Sequence, residues 1–154
     1  NEDLREIFRK EIEESASMLK KAKTAGVPIL CGSESGFSLT PYGEWHYREL
    51  EVFVSELGFS NLDAIAAATG MCGIHAGFNS ETGIIADGKF ADLILVDGDP
   101  SEDITILKSK ANIKKVFVGG EMADLTPNPQ RKPIAGWRVS QYSSKTLTQE
   151  ETRD

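Results

Sequence analysis

Between Asp3 and about Ala25 the apolar positions are Leu4, Ile7, Phe8, Ile12, Met18, Leu19 and Ala22, with Glu and Lys elsewhere. Spacings of three, four and seven recur in this set, which is the repeat of one helical face. Asp3 is a candidate cap for that helix and Gly26 a candidate terminator. Val27 to Cys31 is a short apolar run that predicts a fully buried strand, with Pro28 tolerable near its start. Gly32 to Tyr42 is polar and broken by Gly, Ser and Pro, so it predicts a loop. Thr40-Pro41 then signals a second helix, about Gly43 to Leu57, whose stripe is His46, Leu50, Phe53, Val54 and Leu57. Ser60-Asn61-Leu62-Asp63 resembles a capping box and opens an alanine-rich third helix through about His75.

From Thr82 the period changes. Thr82–Ala86, Ala91–Val96 and Ile113–Val118 are β-like, separated by the turn pairs Asp87-Gly88, Asp97-Gly98 and Gly119-Gly120. After Leu125 the chain is rich in Pro, Ser, Thr, Gln and Glu and predicts an extended tail. A single buried strand among helices leaves both of its edges without partners. The chain also opens at Asn1, inside a helical pattern, and the two features together suggest a piece of something larger.

Composition narrows the function classes. The 154 residues carry 17 basic and 24 acidic side chains, a net charge of −7, which argues against a nucleic-acid partner. No apolar run reaches membrane-spanning length, so no membrane partner is expected. Cys31 and Cys72 are too few for a disulfide framework, and a reducing, cytoplasmic setting is the default.

The candidate chemistry lies just past the predicted strand. In parallel α/β folds, residues beyond a strand's C-terminal end line the active site. Gly32-Ser33-Glu34-Ser35-Gly36 has the glycine spacing of a nucleophile elbow, yet Glu34 occupies the nucleophile's place. A carboxylate there suits a metal ligand or a general base acting on water; a solvated polar turn is the alternative. His46 extends the buried stripe of the second helix toward the same end, where it could bind substrate or simply pack. Ser33, Ser35 and Tyr42 offer hydroxyls for a ligand, with no adjacent histidine base expected to activate them. Cys72-x-x-His75 is half of a metal site at most, and ordinary helix packing is the expected reading.

Gly83-Ile84-Ile85-Ala86-Asp87-Gly88-Lys89-Phe90-Ala91-Asp92-Leu93, running on to Val96-Asp97-Gly98-Asp99-Pro100, resembles the G-x-I-x-x-G-K-x-A-D-L…D-G-D-P run of metal-dependent amidohydrolases. Val116 to Gly120 is similar to that family's late strand and turn, and Leu62–Thr69 to the short helix before the run. Gly32-Ser33-Glu34-Ser35 stands where the family typically has G-T-D-S, and Thr40 to His46 looks like its imidazolonepropionase-like or Xaa-Pro dipeptidase-like branch.

The resemblance implies an α/β chain: the C-terminal fragment of a (β/α)8 amidohydrolase barrel plus part of a small β-sandwich. Residues 1–78 would be the last helix-strand-helix portion of the barrel, 79–125 the C-terminal half of the sandwich, and 126–154 the tail. It further implies a divalent metal, zinc, in the complete enzyme. Glu34 would be both metal ligand and catalytic carboxylate, and Tyr42 and His46 would contact a small-molecule amide or peptide-like substrate. The family's other ligands sit on earlier strands, so the fragment is expected to be inactive alone, and its open edges to make it a homo-oligomer. A catalytically silent module for assembly or binding and a small self-contained α/β binding domain are the competing readings.

Overall fold

The computed structural model describes residues 2–35, 45–78 and 80–126. Thr40-Pro41, Tyr42 and most of the tail lie outside the described residues. The chain order is α1 (Glu2–Thr24), α2 (Trp45–Ser55), α3 (Asn61–Ala68), α4 (Gly70–His75), β1 (Leu93–Val96), β2 (Ile113–Val118) and β3 (Glu121–Met122). Two short 3-10 turns, Ile104–Lys108 and Lys110–Asn112, lie between β1 and β2. No helix among the described residues is long and apolar enough to cross a membrane.

α1 begins at Glu2, which puts Asp3 inside the first turn rather than at the cap. Its end is as the sequence predicts. The Gly26 and Val27 amides turn back onto the carbonyls of Lys23 and Ala22, both at 3.0 Å, which satisfies two of the carbonyls a helix end leaves open. Lys23 then fastens α1 to the turn after α2: its ammonium donates to the Gly58 carbonyl and lies 4.2 Å from the centre of the Phe59 ring. The apolar stripe is present as spaced, but Leu4, Ile7, Phe8, Ile12, Met18 and Leu19 remain 40–70% exposed. Only Ala16 of α1 packs against the core.

That core is small. Phe53 of α2 and Leu57 in the turn after it meet Ala64 and Ala67 of α3, with Ile29, Cys31, Leu50, Val54 and Phe59 around them. Phe53 and Phe59 stack at a tilt, their centroids 4.9 Å apart. Val27 to Cys31 lies on this core but forms no strand, and Val27 is 53% exposed. A strand exists through its ladder, and among the described residues this segment has no neighbouring strand to pair with. Its Cys31 amide instead donates to the Ala67 carbonyl at 3.3 Å.

Ser60 caps α3, its hydroxyl accepting the Asp63 amide at 3.1 Å. The predicted single helix to His75 is broken at Thr69, whose φ of −127° and ψ of −92° separate α3 from α4. The break accommodates a second piece of backbone. Gly83, at φ +96°, sits so close that a Cβ there would lie 3.1 Å from the Thr69 carbonyl oxygen and 3.2 Å from the Gly70 Cα. A Cβ on Gly73 would likewise stand 3.1 Å from the Thr82 carbonyl oxygen. This tight contact also explains why Thr82–Ala86 is not the strand its composition predicts: positive φ at Gly83 takes the backbone out of the β region.

β1, β2 and β3 form an antiparallel sheet in that order, with Leu93 opposite Phe117 and Ile94 opposite Val116. β2 bulges at Lys114, which bridges to Asp97 at 2.9 Å. Gly119 and Gly120 both have positive φ, which suits the two-residue hairpin into β3, a strand too short for its pattern to announce. Asp92 locks the hairpin in place. One of its oxygens accepts the Gly119 amide at 2.7 Å and the other the Thr82 hydroxyl at 3.3 Å. Ile104, buried against α2, and Asn61, donating to the Ser101 carbonyl at 3.0 Å, connect the sheet region to the helices.

The contact at Gly83 makes a direct test. Gly83→Ala should lower stability by about 1–3 kcal/mol, because the methyl group meets backbone atoms that cannot rotate away and φ is unfavourable for alanine. Urea unfolding of the two chains measures it, and an unchanged midpoint would contradict the packing described.

Candidate active site

The segment 32–35 leaves the core between α3 and α2, and α2 holds it at two points. Glu49 accepts the Gly32 amide at 2.7 Å. One turn earlier on the same helix face, Nδ1 of His46 lies 3.0 Å from the Ser33 hydroxyl. The Ser33 hydroxyl is also 2.8 Å from that of Ser35, so Ser35, Ser33 and His46 form a continuous hydrogen-bonded chain. With the proton on Nε2, His46 accepts at Nδ1 and the hydroxyls donate toward it; with Nδ1 protonated, the direction reverses.

Glu34 lies between the two serines, exposed, at φ +48°. It is the only non-glycine at positive φ among the described residues. That conformation costs a side-chain-bearing residue about 1–2 kcal/mol, and such costs persist where neighbouring contacts fix the backbone. Here the contacts on Gly32 and Ser33 do so.

The sequence-based expectations divide cleanly. The structure brings Glu34 and His46 to the same loop. Tyr42 lies outside the described residues. The expectation that Ser33 lacks an adjacent histidine is overturned, because the fold closes the sequence separation of 13 to a hydrogen-bond distance. Glu49 is a contact that the motifs alone do not point to; its signal is its spacing of three from His46, which puts both on one face of α2. Cys72 is a packing residue, its thiol directed at the carbonyls of Ala67 and Cys31, 3.0 and 3.5 Å away. An open hollow of about 420 Å³ on α1, lined by Ser17, Lys20, Lys21, Thr24 and Ala25, contains none of the loop residues.

The chain belongs to the amidohydrolase family, whose model matches residues 6–123. Its α/β content agrees with part of a barrel plus part of a small sheet. Among solved structures it is similar to a Bifidobacterium longum protein assigned as a prolidase, at 31% identity and TM-score 0.65 over 76% of this chain and 28% of that one. A Xaa-Pro dipeptidase with methionine bound in its active site matches at 31% identity and TM-score 0.63, over 71% of this chain and 25% of the other. Ochratoxinase of A. niger matches at 30% and 0.61, over 70% and 24%. The chain thus spans about a quarter of the length of these structures. No curated protein matches it.

Amidohydrolases generally use a divalent metal. Among the described residues no group of three or more His, Cys, Asp and Glu side chains is placed to hold one. The nitrogen of His46 nearest the loop faces a serine hydroxyl, and Glu34 is a single carboxylate. The described residues therefore do not fit a complete metal site.

Cys31 marks the buried side of the loop. Burial, then the charge of Glu49, then the neighbouring Cys72 push its thiol up to about 12, from an ordinary 9.0. The folded value exceeds the unfolded one, so the stabilisation is complete below about pH 9 and fades as pH rises toward 12. At pH 8 Cys31 should react with iodoacetamide roughly 100-fold or more slowly in the native chain than in the urea-unfolded chain. Equal rates, read by peptide mass spectrometry, would place Cys31 in solvent instead.

Proposed function

We propose that this chain is the C-terminal portion of a hydrolase of C–N bonds, acting on an amide, peptide-like or cyclic-amide substrate, with Glu34 as its reacting carboxylate. The observation that carries this reading is the presentation of Glu34 at positive φ between two serines of a loop anchored on Glu49 and His46. Family membership supports the reaction class, and the relatives described as prolidase and Xaa-Pro dipeptidase favour a peptide-like substrate.

In this reading Glu34 accepts a proton from the attacking water and passes it to the leaving nitrogen, the ordinary duty of a general base that becomes a general acid. His46, whose imidazole is exposed beside Ser33, contacts the substrate in this reading, and Tyr42, outside the described residues, keeps the substrate-binding role that the family resemblance implies. Glu34 is also the ligand this chain would contribute to the family's divalent ion, zinc in our reading, with the remaining ligands outside the described residues. The chain alone is therefore inactive in this proposal. Two free thiols suit work in the cytoplasm.

The test is made on protein that carries this chain within a complete barrel. Glu34→Gln should lower kcat by about 10²-fold or more, the scale of a lost general base, with KM much less affected. Glu34→Asp, which restores the family's usual residue, should hold or raise activity. Unchanged kcat in Glu34→Gln would remove Glu34 from the chemistry and favour the alternative of a catalytically silent module for assembly or binding.

We also propose that the isolated chain self-associates. The exposed stripe of α1, together with Ile94 and Leu95 on β1, leaves apolar surface that other copies can cover. Sedimentation at micromolar concentration should show species larger than a monomer; a single compact monomer would refute this.

A further inference from the structure

We propose that Glu49 is a positioning residue for this site, holding the Gly32–Ser35 loop in the conformation that presents Glu34. The inference rests on the reading of Glu34 given above and extends it to a residue on a different element. Glu49 reaches the loop across the gap between α2 and the 27–31 segment, and its Oε1 takes the Gly32 amide at 2.7 Å, the short distance of a charge-assisted bond. Gly32 lies two residues before Glu34 and directly after Cys31, whose own amide is tied to Ala67 of α3. Two successive amides are thus bound to two different helices, so the direction in which the chain leaves the core is fixed by both.

His46 adds the next point of attachment at Ser33. Its place one turn before Glu49 means that a single rigid face of α2 supplies both contacts. Past Ser33 the backbone turns into positive φ at Glu34, a conformation an unrestrained glutamate would leave. Glu49 is half-buried, and it is close enough to the Cys31 thiol to act on it electrostatically. Both features are those of a carboxylate set against the loop rather than one loose in solvent. A shift of Glu34 by about 1 Å would suffice to affect turnover, which is why a residue that never touches substrate can matter here.

The experiment compares the wild-type chain with Glu49→Ala and Glu49→Gln by amide hydrogen exchange resolved to single residues, with circular dichroism to check the fold. Glu49→Ala should speed exchange at Gly32 by roughly 10–100-fold, the loss expected for a charge-assisted bond, and speed it at Ser33 to Ser35 as well. Exchange in α3 and β2 should stay as it was. Glu49→Gln keeps an oxygen acceptor at the same reach and should recover most of the Gly32 protection. In the complete hydrolase Glu49→Ala should lower kcat by about 10–100-fold with KM nearly constant, and Gln should again restore much of it.

Unchanged Gly32 exchange in Glu49→Ala overturns the proposal. So does acceleration spread evenly over the chain in both variants, which is loss of the fold rather than of a positioned loop. If Gly32 behaves as expected while Glu34→Gln leaves turnover intact, the hold of Glu49 on the loop stands and the catalytic reading of Glu34 falls. The two failures are therefore separable.

Discussion

The carbonyl oxygen of Ala67 is the junction on which the arrangement depends. The last carbonyls of a helix have no partner within it, and α3 ends one residue later because Thr69 leaves the helical conformation. The Ile65 carbonyl is taken by the Thr69 hydroxyl at 2.7 Å and that of Ala66 by the Thr69 amide at 3.2 Å. Ala67 is left to accept the Cys31 amide and the Cys72 thiol. Alanine is the right size for this. Its methyl group is buried in the core, and a larger side chain would hold the 27–31 segment away from the helix. An early segment, a middle helix and α4 are thereby joined at one atom.

The consequences run outward from there. Once Cys31 is fixed, Gly32 comes within reach of Glu49 and Ser33 within reach of His46, and the loop bearing Glu34 is set against α2. On the other side of the same helix break, the backbone at Thr69, Gly70 and Gly73 receives Thr82 and Gly83. Asp92 holds Thr82 and the Gly119 amide together, and so connects that contact to the sheet. The break in the alanine-rich helix thus serves both halves of the chain. It frees the carbonyl that places the loop, and it opens the corner that seats the sheet.

The molecule also shows apolar patterning without burial. α1 has the stripe of a helix that packs, and the sheet bears Ile94, Leu95 and Val118, yet these side chains are mostly in solvent. Hydrophobic spacing describes what a segment would do against a neighbour; it does not supply one. The chain covers about a quarter of the structures it resembles, which is consistent with faces that its own residues leave uncovered.

The sequence by itself determined what depends on neighbours along the chain. The extent of α1 and its end at Gly26, the Ser60 cap, the stripe from Leu50 to Leu57, and the strands near 93–96 and 113–118 follow from spacing and turn chemistry acting over a few residues. The motif around Lys89 to Leu93 pointed to the family, and the position of Glu34 past an apolar run pointed to the loop. Only the tertiary structure decided the rest. The run at 27–31 became an irregular segment because strand formation requires a partner, which no property of those five residues could supply. Thr82–Ala86 lost its β character to a backbone contact with Thr69, Gly70 and Gly73, nine to fourteen residues earlier. Ser33 met His46, and Gly32 met Glu49, through separations of 13 and 17 residues. Such hydrogen bonds depend on where α2 lies against α3, which is set by the packing of Phe53 and Leu57 on Ala64 and Ala67 rather than by any pattern within the loop itself.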